Sequence, residues 1–427
     1  MGEGKRQLTV AKSKPLFLIE EIGTGAESSN VLCHGDNKTF MKTLLDEYDM
    51  KGKINMIYID PPFFSKSDYD AVLKAGDTNI RHLAYADKWE KGLSEYLRMC
   101  SVRLMMMKEL LAEDGLIWVH LDWHVVHYVK ILMDEIFGEK NFVNEIIWNY
   151  KSGGTTKRHF SRKHDTILVY SKTGKYKFYP LEEKSYNRQF KPYRFKGVKE
   201  YKDDIGWYTM VNMKDVWNID MVGRTSSERT GYATQKPEQL LERIINSSTE
   251  EGDIVADFFC GSGTLPSVAS KTNRHFIGCD MSKLAIESTV NRLAANKASF
   301  AVCDFNEEEK SQFQADLKFN YEDIPGSDKK LVQIELLGVK SKGMIRKVEK
   351  KSKDTVKQIL KDDSLQMVSG WSIDYSYNGK VHRPDVIFTR TSGELETVHQ
   401  KISAGKMQVS IKVVDIFGNV VFERGII

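Results

Sequence analysis

Residues 54–59, Ile-Asn-Met-Ile-Tyr-Ile, form a nearly unbroken apolar run that stops abruptly at Asp60-Pro61-Pro62. Such a run, bounded by turn residues, is the pattern of a strand covered on both faces, as in a parallel sheet flanked by helices. The two prolines cannot continue a sheet ladder and hold their neighbours extended, so the strand must end there and deliver a rigid loop. The surrounding chain alternates in the same way. Residues 30–34 form a short strand ending at Gly35-Asp36, and residues 37–48 place Phe40, Met41, Leu44 and Leu45 on one helical face. Residues 93–111 read as a helix and 116–120 as another strand. After Pro237 come a helix (238–248), a strand (254–258), a Gly-rich turn, a helix and a strand (275–279). Strands alternating with helices predict a parallel α/β sheet.

Between the two halves the pattern breaks. Residues 150–230 carry 18 Lys/Arg against 9 Asp/Glu, although the net charge of the whole chain is only +4. A basic, aromatic-rich stretch is the footprint of nucleic-acid contact. Beyond residue 310, short β-type runs (331–337, 386–389, 409–414) predict a further β-rich region, with a hairpin turn at Asn378-Gly379. The lysine-rich stretch 340–361 reads as an exposed helix or a linker. The expected organisation is a lead-in (1–29), a catalytic half (30–150), a target-recognition insert (151–230), a cofactor half (231–305) and a C-terminal β-rich accessory domain (306–427).

Other features exclude function classes. No apolar run is long enough to cross a membrane as a helix, and the N-terminus lacks the apolar core of a signal peptide. The five cysteines form no Cys-x-x-Cys pair, which argues against a disulfide framework or a structural zinc site and fits a reducing cytoplasm. No phosphate-binding GxxxxGK[ST] loop is present, and Pro384-Asp385 is not followed by the Glu-x-Lys of a nuclease. His120, Asp122, His124 and His127 invite a metal reading. A strand that ends at His120 removes the helical spacing such a site needs, so no metal is expected.

Two segments carry chemistry. Asp257-Phe258-Phe259-Cys260-Gly261-Ser262-Gly263 follows a strand and opens a helix. Glycines there let the backbone turn sharply and approach a ligand closely. Asp280 ends the next strand, where a carboxylate can bind ribose hydroxyls. Asp60-Pro61-Pro62-Phe63 presents a carboxylate and a carbonyl as acceptors beside an aromatic face. Read singly, each segment also fits a plain strand-terminating turn.

Together, and in this order, the pair resembles the catalytic motif ([DNS]-P-P-[YFW]) and the cofactor motif (FxGxG) of DNA amino-methyltransferases of the β class. In that class the S-adenosylmethionine-dependent, Rossmann-like methyltransferase sheet is circularly permuted. Thr234-Gln235-Lys236-Pro237 is similar to the segment that precedes the cofactor motif there. The stretches HGDNKTF, KINMIYIDPPF and GEKNFVNEIIW resemble modification subunits of type III restriction systems. The resemblance covers residues 30–150 and 230–295. Departures are Phe63 where Tyr is usual, Phe64-Ser65-Lys66 where type III subunits have Asn-Thr-Gly, and Asp257-Phe258-Phe259 where Asp-Pro-Phe is usual.

The resemblance implies transfer of a methyl group from S-adenosylmethionine to the N6 amino group of a flipped adenine in double-stranded DNA. Asp60, Pro61, Pro62 and Phe63 would act on the base. Asp36 would touch the cofactor's adenine and Asp280 its ribose. Phe259, Gly261 and Gly263 would form the methionine-side cradle, Asp257 would be a further cofactor-binding residue, and Lys236 would reach the cofactor carboxylate or stand at the surface beside a helix start. Lys157, Arg158, Arg162, Lys163 and Lys175 would contact phosphates. A separate restriction subunit and a homodimer are possible partners on the same ground. Cytosine-N4 or RNA methylation, or a silent DNA-binding module, remain the alternatives.

Overall fold

The apolar run is a strand at the middle of a ten-stranded sheet. In the computed structural model, residues 12–23, 29–151, 153–154, 156–223, 225–232, 234–307, 313–341, 348, 352–390 and 394–427 are described. The large sheet draws on β1 (Phe17–Ile22), β2 (Val31–His34) and β3 (Ile54–Ile59). A separate hairpin of β4 (Asp68–Ala75) and β5 (Thr78–Ala86) follows, and the sheet resumes with β6 (Leu111–Leu121), β7 (Phe142–Asn149) and β8 (His164–Ser171). Next come a small sheet of β9 (Glu182–Tyr186), β10 (Tyr201–Lys202) and β11 (Trp207–Asn212), then β12 (Val216–Asn218), β13 (Ile254–Asp257), β14 (His275–Asp280) and β15 (Phe300–Asp304). Across the large sheet the order is β1-β15-β2-β14-β13-β3-β6-β8-β7-β12.

The helices are α1 (Asn37–Asp46), α2 (Leu93–Leu110), α3 (Val126–Phe137), α4 (Glu238–Ser248), α5 (Thr264–Lys271) and α6 (Lys283–Ala295). They explain why β3 is apolar on both faces. Met56 and Tyr58 pack with Leu240, Ile244, Leu265 and Ile286 of α4, α5 and α6. Ile57 and Ile59 pack with Phe40, Leu104 and Val129 of α1, α2 and α3. Each fully buried side chain of this size contributes about 1.5–3 kcal/mol, so the two helix layers hold the sheet and leave the strand-end loops free for chemistry.

β3 runs parallel to β13 and β6, and β14 runs parallel to β13 and β2. The carboxyl ends of these five strands therefore share one edge, where open α/β sheets bind ligands. The strand with Asp60 comes early in the chain and the strand with Asp257 late, yet they are neighbours. The basic stretch 151–230 is not wholly separate from the sheet, because β8 lies antiparallel between β6 and β7.

Beyond residue 306 the chain forms β16 (Phe313–Asp323), β17 (Lys330–Ser341), α7 (Lys353–Asp362), β18 (Val368–Asp374), β19 (Val386–Thr389), β20 (Val398–Ser403), β21 (Gln408–Asp415) and β22 (Val420–Ile426). A three-stranded sheet (β16-β17-β20) and a four-stranded one (β19-β18-β21-β22) share one core that includes Phe313, Ile334, Trp371 and Ile411. Asn378-Gly379 does not join a tight hairpin. It sits in the longer connection from β18 to β19, where the Asn378 carboxamide oxygen accepts from the Lys380 backbone N–H. Within the lysine-rich stretch, residues 353–361 lie in α7, while 342–347 and 349–351 lie outside the described residues.

The lead-in is less loose than its sequence suggests. Residues 1–11 and 24–28 lie outside the described residues, but β1 pairs antiparallel with β15 at the sheet edge. Its Glu20 and Glu21 are buried, because Lys412 Nζ bonds Glu20 (2.6 Å) and Arg383 Nε bonds Glu21 (2.7 Å). Partners almost four hundred positions away leave no local signal. No helix among the described residues is long and apolar enough to cross a membrane.

Candidate active site

The parallel pairing of β3 with β13 releases Asp60 and Asp257 next to each other. Asp60 Oδ2 bonds Lys236 Nζ, while Asp60 Oδ1 is buried with no hydrogen-bond partner. Lys236 is itself buried, and its ammonium lies 5.5 Å from the centroid of the Phe63 ring. Thr264 Oγ1 donates to the Lys236 carbonyl (3.0 Å) and so fixes the segment from behind. A buried acceptor left unsatisfied costs about 1–3 kcal/mol. Such an atom at a cavity wall is a site for a donor that arrives with a ligand.

The Gly-rich loop is held by its own carboxylates. Asp257 Oδ1 accepts from the Phe259 backbone N–H (2.9 Å). Asp280 accepts from the backbone N–H of Gly261 and of Ser282, each at 2.9 Å. Burial raises the pKa of both carboxyls, and for Asp280 the two backbone N–H groups work against that rise. Gly261 (φ +50°) and Gly263 (φ +71°) have left-handed backbones, and a Cβ on Gly263 would lie 2.3 Å from the Thr289 methyl. The loop can adopt this path only with glycine there.

A cavity of about 740 Å³ opens between the two loops, lined by Asp60, Phe63, Lys236, Phe259, Gly261 and Asp280 among others. Pro61, Pro62 and Asp257 also face it. The structure thus brings together at the cavity the expected catalytic set and all of the expected cofactor set except Gly263, which packs against Thr289 of α6, and Asp36. The Asp36 carboxylate caps α1 through the Thr39 backbone N–H (3.0 Å) and pairs with Arg103 Nη2 (3.0 Å). Its neighbours Asn37 and Arg103 line the cavity instead.

The basic residues divide. Lys157, Arg158 and Arg162 are exposed on the segment before β8, with Lys163 half-buried beside them. Arg162 stacks over Trp123 at 3.7 Å, and the Lys163 carbonyl accepts from the backbone N–H of the cavity residue Tyr150 (3.0 Å). Lys175 lies past the other end of β8, between Lys172 and Lys177, whose backbone N–H groups donate to the Gly115 and Asp114 carbonyls, and is not part of this group.

Two features of the site lie outside the two sequence motifs. His120 is fully buried at the end of β6, 6.0 Å from the stacked Phe63 ring, with its nitrogens on Tyr58 Oη (2.9 Å) and Asp165 Oδ2 (3.1 Å). Tyr150 Oη donates to the other Asp165 oxygen (3.1 Å). Burial pushes the Asp165 pKa up, but its hydrogen bond to His120, the charges of His120 and Lys236, and the Tyr150 hydroxyl leave it lowered. The triplet His120, Asp122, His124 is thus no shared cluster. His120 belongs to a hydrogen-bonded support beneath Phe63, while His124 Nδ1 pairs with Asp122 (2.5 Å). The second feature is the β4–β5 hairpin, whose Tyr69 and Tyr85 line the cavity. Its two-residue Gly76-Asp77 turn was the signal available for it.

Comparison with known proteins places this geometry. A family model described as DNA methylase matches residues 54–291. The type II methyltransferase M.EcaI of Enterobacter cloacae is 27% identical over 361 residues, covering 70% of this chain and 77% of that protein. The type II methyltransferase M.HpaI of Haemophilus parainfluenzae is 29% identical over 254 residues, covering 60% and 72%. A probable type III restriction-modification enzyme HindVI Mod subunit of Haemophilus influenzae is 24% identical, covering 64% and 51%. Among solved structures, the M1.HpyAVI–SAM complex aligns with 62% of this chain and 98% of that chain at 19% identity and a TM-score of 0.40. The cytosine-N4-specific PvuII DNA methyltransferase aligns with 64% and 89% at 16% identity and a TM-score of 0.43.

Proposed function

The chain belongs to the DNA methylase family, whose methyl donor is S-adenosylmethionine, and on that premise we propose that it methylates the N6 amino group of adenine at a specific site in DNA. The observation that carries this reading is the buried, unpartnered Oδ1 of Asp60, a residue that lines the same cavity as Phe63. Aspartate rather than serine at the first position of the motif favours adenine over cytosine.

The residues present suit the cofactor. Gly261 gives a side-chain-free approach, Gly263 lets the loop pack against α6, Phe259 gives an apolar wall, and Asp280 lies at the end of β14 for a ribose. Asp36 would contribute through Arg103 and Asn37, which face the cavity while Asp36 holds Arg103 in place. When bound, S-adenosylmethionine supplies a methyl group on a positively charged sulfur.

The protein's own groups prepare the base. Extruding a base from the duplex costs a few kcal/mol. Stacking on Phe63 offsets about 1–3 kcal/mol of that. Asp60 Oδ1 and the Pro61 carbonyl accept the two amino hydrogens. This draws the nitrogen lone pair out of conjugation with the ring and fixes its direction, and positioning supplies much of the rate. Lys236 holds Asp60 Oδ2, so the buried Oδ1 is the carboxylate oxygen left without a partner for the amino group. The exposed cations Lys157, Arg158 and Arg162, beside Lys163, hold phosphates of the bound duplex.

The test is nucleoside analysis of DNA incubated with the protein and S-adenosylmethionine, beside an Asp60→Ala control. N6-methyladenine that depends on Asp60 is the expected product. N4-methylcytosine would move the assignment to the other base. Methyl transfer to RNA alone, or DNA binding without transfer, would overturn it.

A further inference from the structure

The region beyond residue 306 resembles nothing in the catalytic motifs, yet it reaches the cavity through the β4–β5 hairpin. One end of the hairpin lies at the site. Tyr69 and Tyr85 stack on each other (ring centroids 4.8 Å apart) and line the cavity, as do Ala84 and Ala86. Directly after it, the fully buried Asp87 accepts from the Ser65 backbone N–H (2.6 Å), the Ser65 hydroxyl (2.8 Å) and the Trp89 indole (2.8 Å). Tyr69 Oη also donates to Ser65 Oγ (3.0 Å). Ser65 lies two positions beyond Phe63, between Phe64 and Lys66, whose left-handed backbones (φ +58° and +59°) are strained for non-glycine residues. The hairpin therefore holds the loop that continues the catalytic motif.

The other end of the hairpin is embedded in the C-terminal core. Ala75 and Ile80 are buried in the same cluster as Phe313, Val332, Trp371 and Phe417, with Leu73 packed against it. The His82 ring lies 5.0 Å from that of Phe417, and Gly76 abuts the Gln366 side chain so closely that a Cβ would lie 2.7 Å from its carboxamide oxygen. The C-terminal sheets are in turn fixed to the catalytic sheet on its far edge. Lys412 Nζ is shared by Glu20 of β1 (2.6 Å) and Glu287 of α6 (2.9 Å), and the backbones of β1 and His382 exchange hydrogen bonds. The arrangement is a closed arch, from the catalytic sheet through the C-terminal domain and the hairpin back to the cavity.

We infer that the C-terminal domain is a positioning element for the base pocket. By anchoring the hairpin, it sets Tyr69 and Tyr85 over the cavity and Asp87 under the loop that follows Phe63. None of its residues needs to touch cofactor or base. The inference rests on the reading of the cavity as the place where a base is methylated.

The hairpin contact can be loosened from either side in the full-length protein with Ile80→Ala, Phe417→Leu and His82→Ala. Single-turnover methyl transfer is measured per cofactor-binding site, so that only folded protein counts. A misplacement of catalytic groups by about 1 Å can cost up to 10²-fold. The expected result is a fall in rate of about tenfold or more for Ile80→Ala and Phe417→Leu. Cofactor affinity and KM for DNA should stay within about twofold, because Ile80 and Phe417 belong to the C-terminal core and are not among the residues that line the cavity. His82→Ala removes a contact of a half-buried ring and serves if the core variants fail to fold. Rates for folded variants equal to the parent's would overturn the inference. A parent protein that methylates no nucleic acid would instead overturn the function on which it rests.

Discussion

Two buried lysines tie distant segments of this molecule together, and they do so differently. Lys412 sits between Glu20 and Glu287, so a single ammonium serves two carboxylates at the junction of the two halves. Lys236 holds one oxygen of Asp60, a residue that lines the cavity, and leaves the other buried without a partner. In the first case the charges meet to join elements, and burial lowers the lysine pKa less than the two carboxylates raise it. In the second, the pairing is incomplete, as expected where a ligand is to finish it. The same chemistry thus marks a joint when its partners are all present and a site when one is missing.

The contrast can be broken most severely at the joint. Replacing Lys412 with alanine leaves two carboxylates buried without their cation, which costs about 3–5 kcal/mol. Denaturant unfolding should show that loss, and a midpoint close to the parent's would mean the junction does not depend on this lysine. His382 makes the same joint sensitive to acid. It is buried between the hydroxyls of Ser372 and Ser410, and burial, with the charges of Lys412 and Arg424 added, lowers its pKa from 6.5 to about 3. The fold requires the neutral ring. Its contribution is complete above pH 6.5, declines as the pH falls from there toward 3, and is of order a few kcal/mol in full. His382→Gln should flatten the stability profile between pH 6.5 and 4, and an unchanged slope would exclude this residue as the cause.

At the cavity the expected effects fall on rate rather than stability. Lys236→Met frees the second oxygen of Asp60 and removes the cation over Phe63. Methyl transfer should fall by about 10–100-fold, the range of a few kcal/mol, with a smaller loss of stability than Lys412→Ala, because one carboxylate beside a cavity rather than two loses its cation. A stability loss as large as that of Lys412→Ala would show that the two lysines do the same work. The smallest change is at Phe63. Phe63→Tyr keeps the stacking face and should leave single-turnover rates within about twofold, whereas Phe63→Ala should lose the about 1–3 kcal/mol of base stacking. Equal rates for all three side chains would remove Phe63 from the account.

The legibility of the sequence follows the same division. The Asp60 and Gly261 loops could be read because strand, loop and helix are local patterns, and a buried parallel strand declares itself by its apolar run. What stayed hidden depends on distant partners. Glu20 and Glu21 look like a polar lead-in because Lys412 and Arg383 lie at the other end of the chain. His120 was noticed for its neighbours Asp122 and His124, but its partners Tyr58 and Asp165 come from two other strands. The β4–β5 hairpin carries its turn signal at Gly76-Asp77, yet its apolar residues Ala75 and Ile80 are buried by a domain that begins more than two hundred residues later. Lys175 was grouped with the other cations by sequence nearness, and a single strand carries it to the opposite edge of the sheet.

Asp60, with its unpartnered oxygen, is proposed to direct methylation to adenine at a specific DNA sequence. Single-molecule sequencing of genomic DNA from a methylation-free bacterial host expressing the chain, beside the same host with Asp60→Ala, tests it directly. One short sequence motif should carry N6-methyladenine with the parent protein, and none should with the variant. Modification that persists in the variant, or that falls on cytosine, would contradict it.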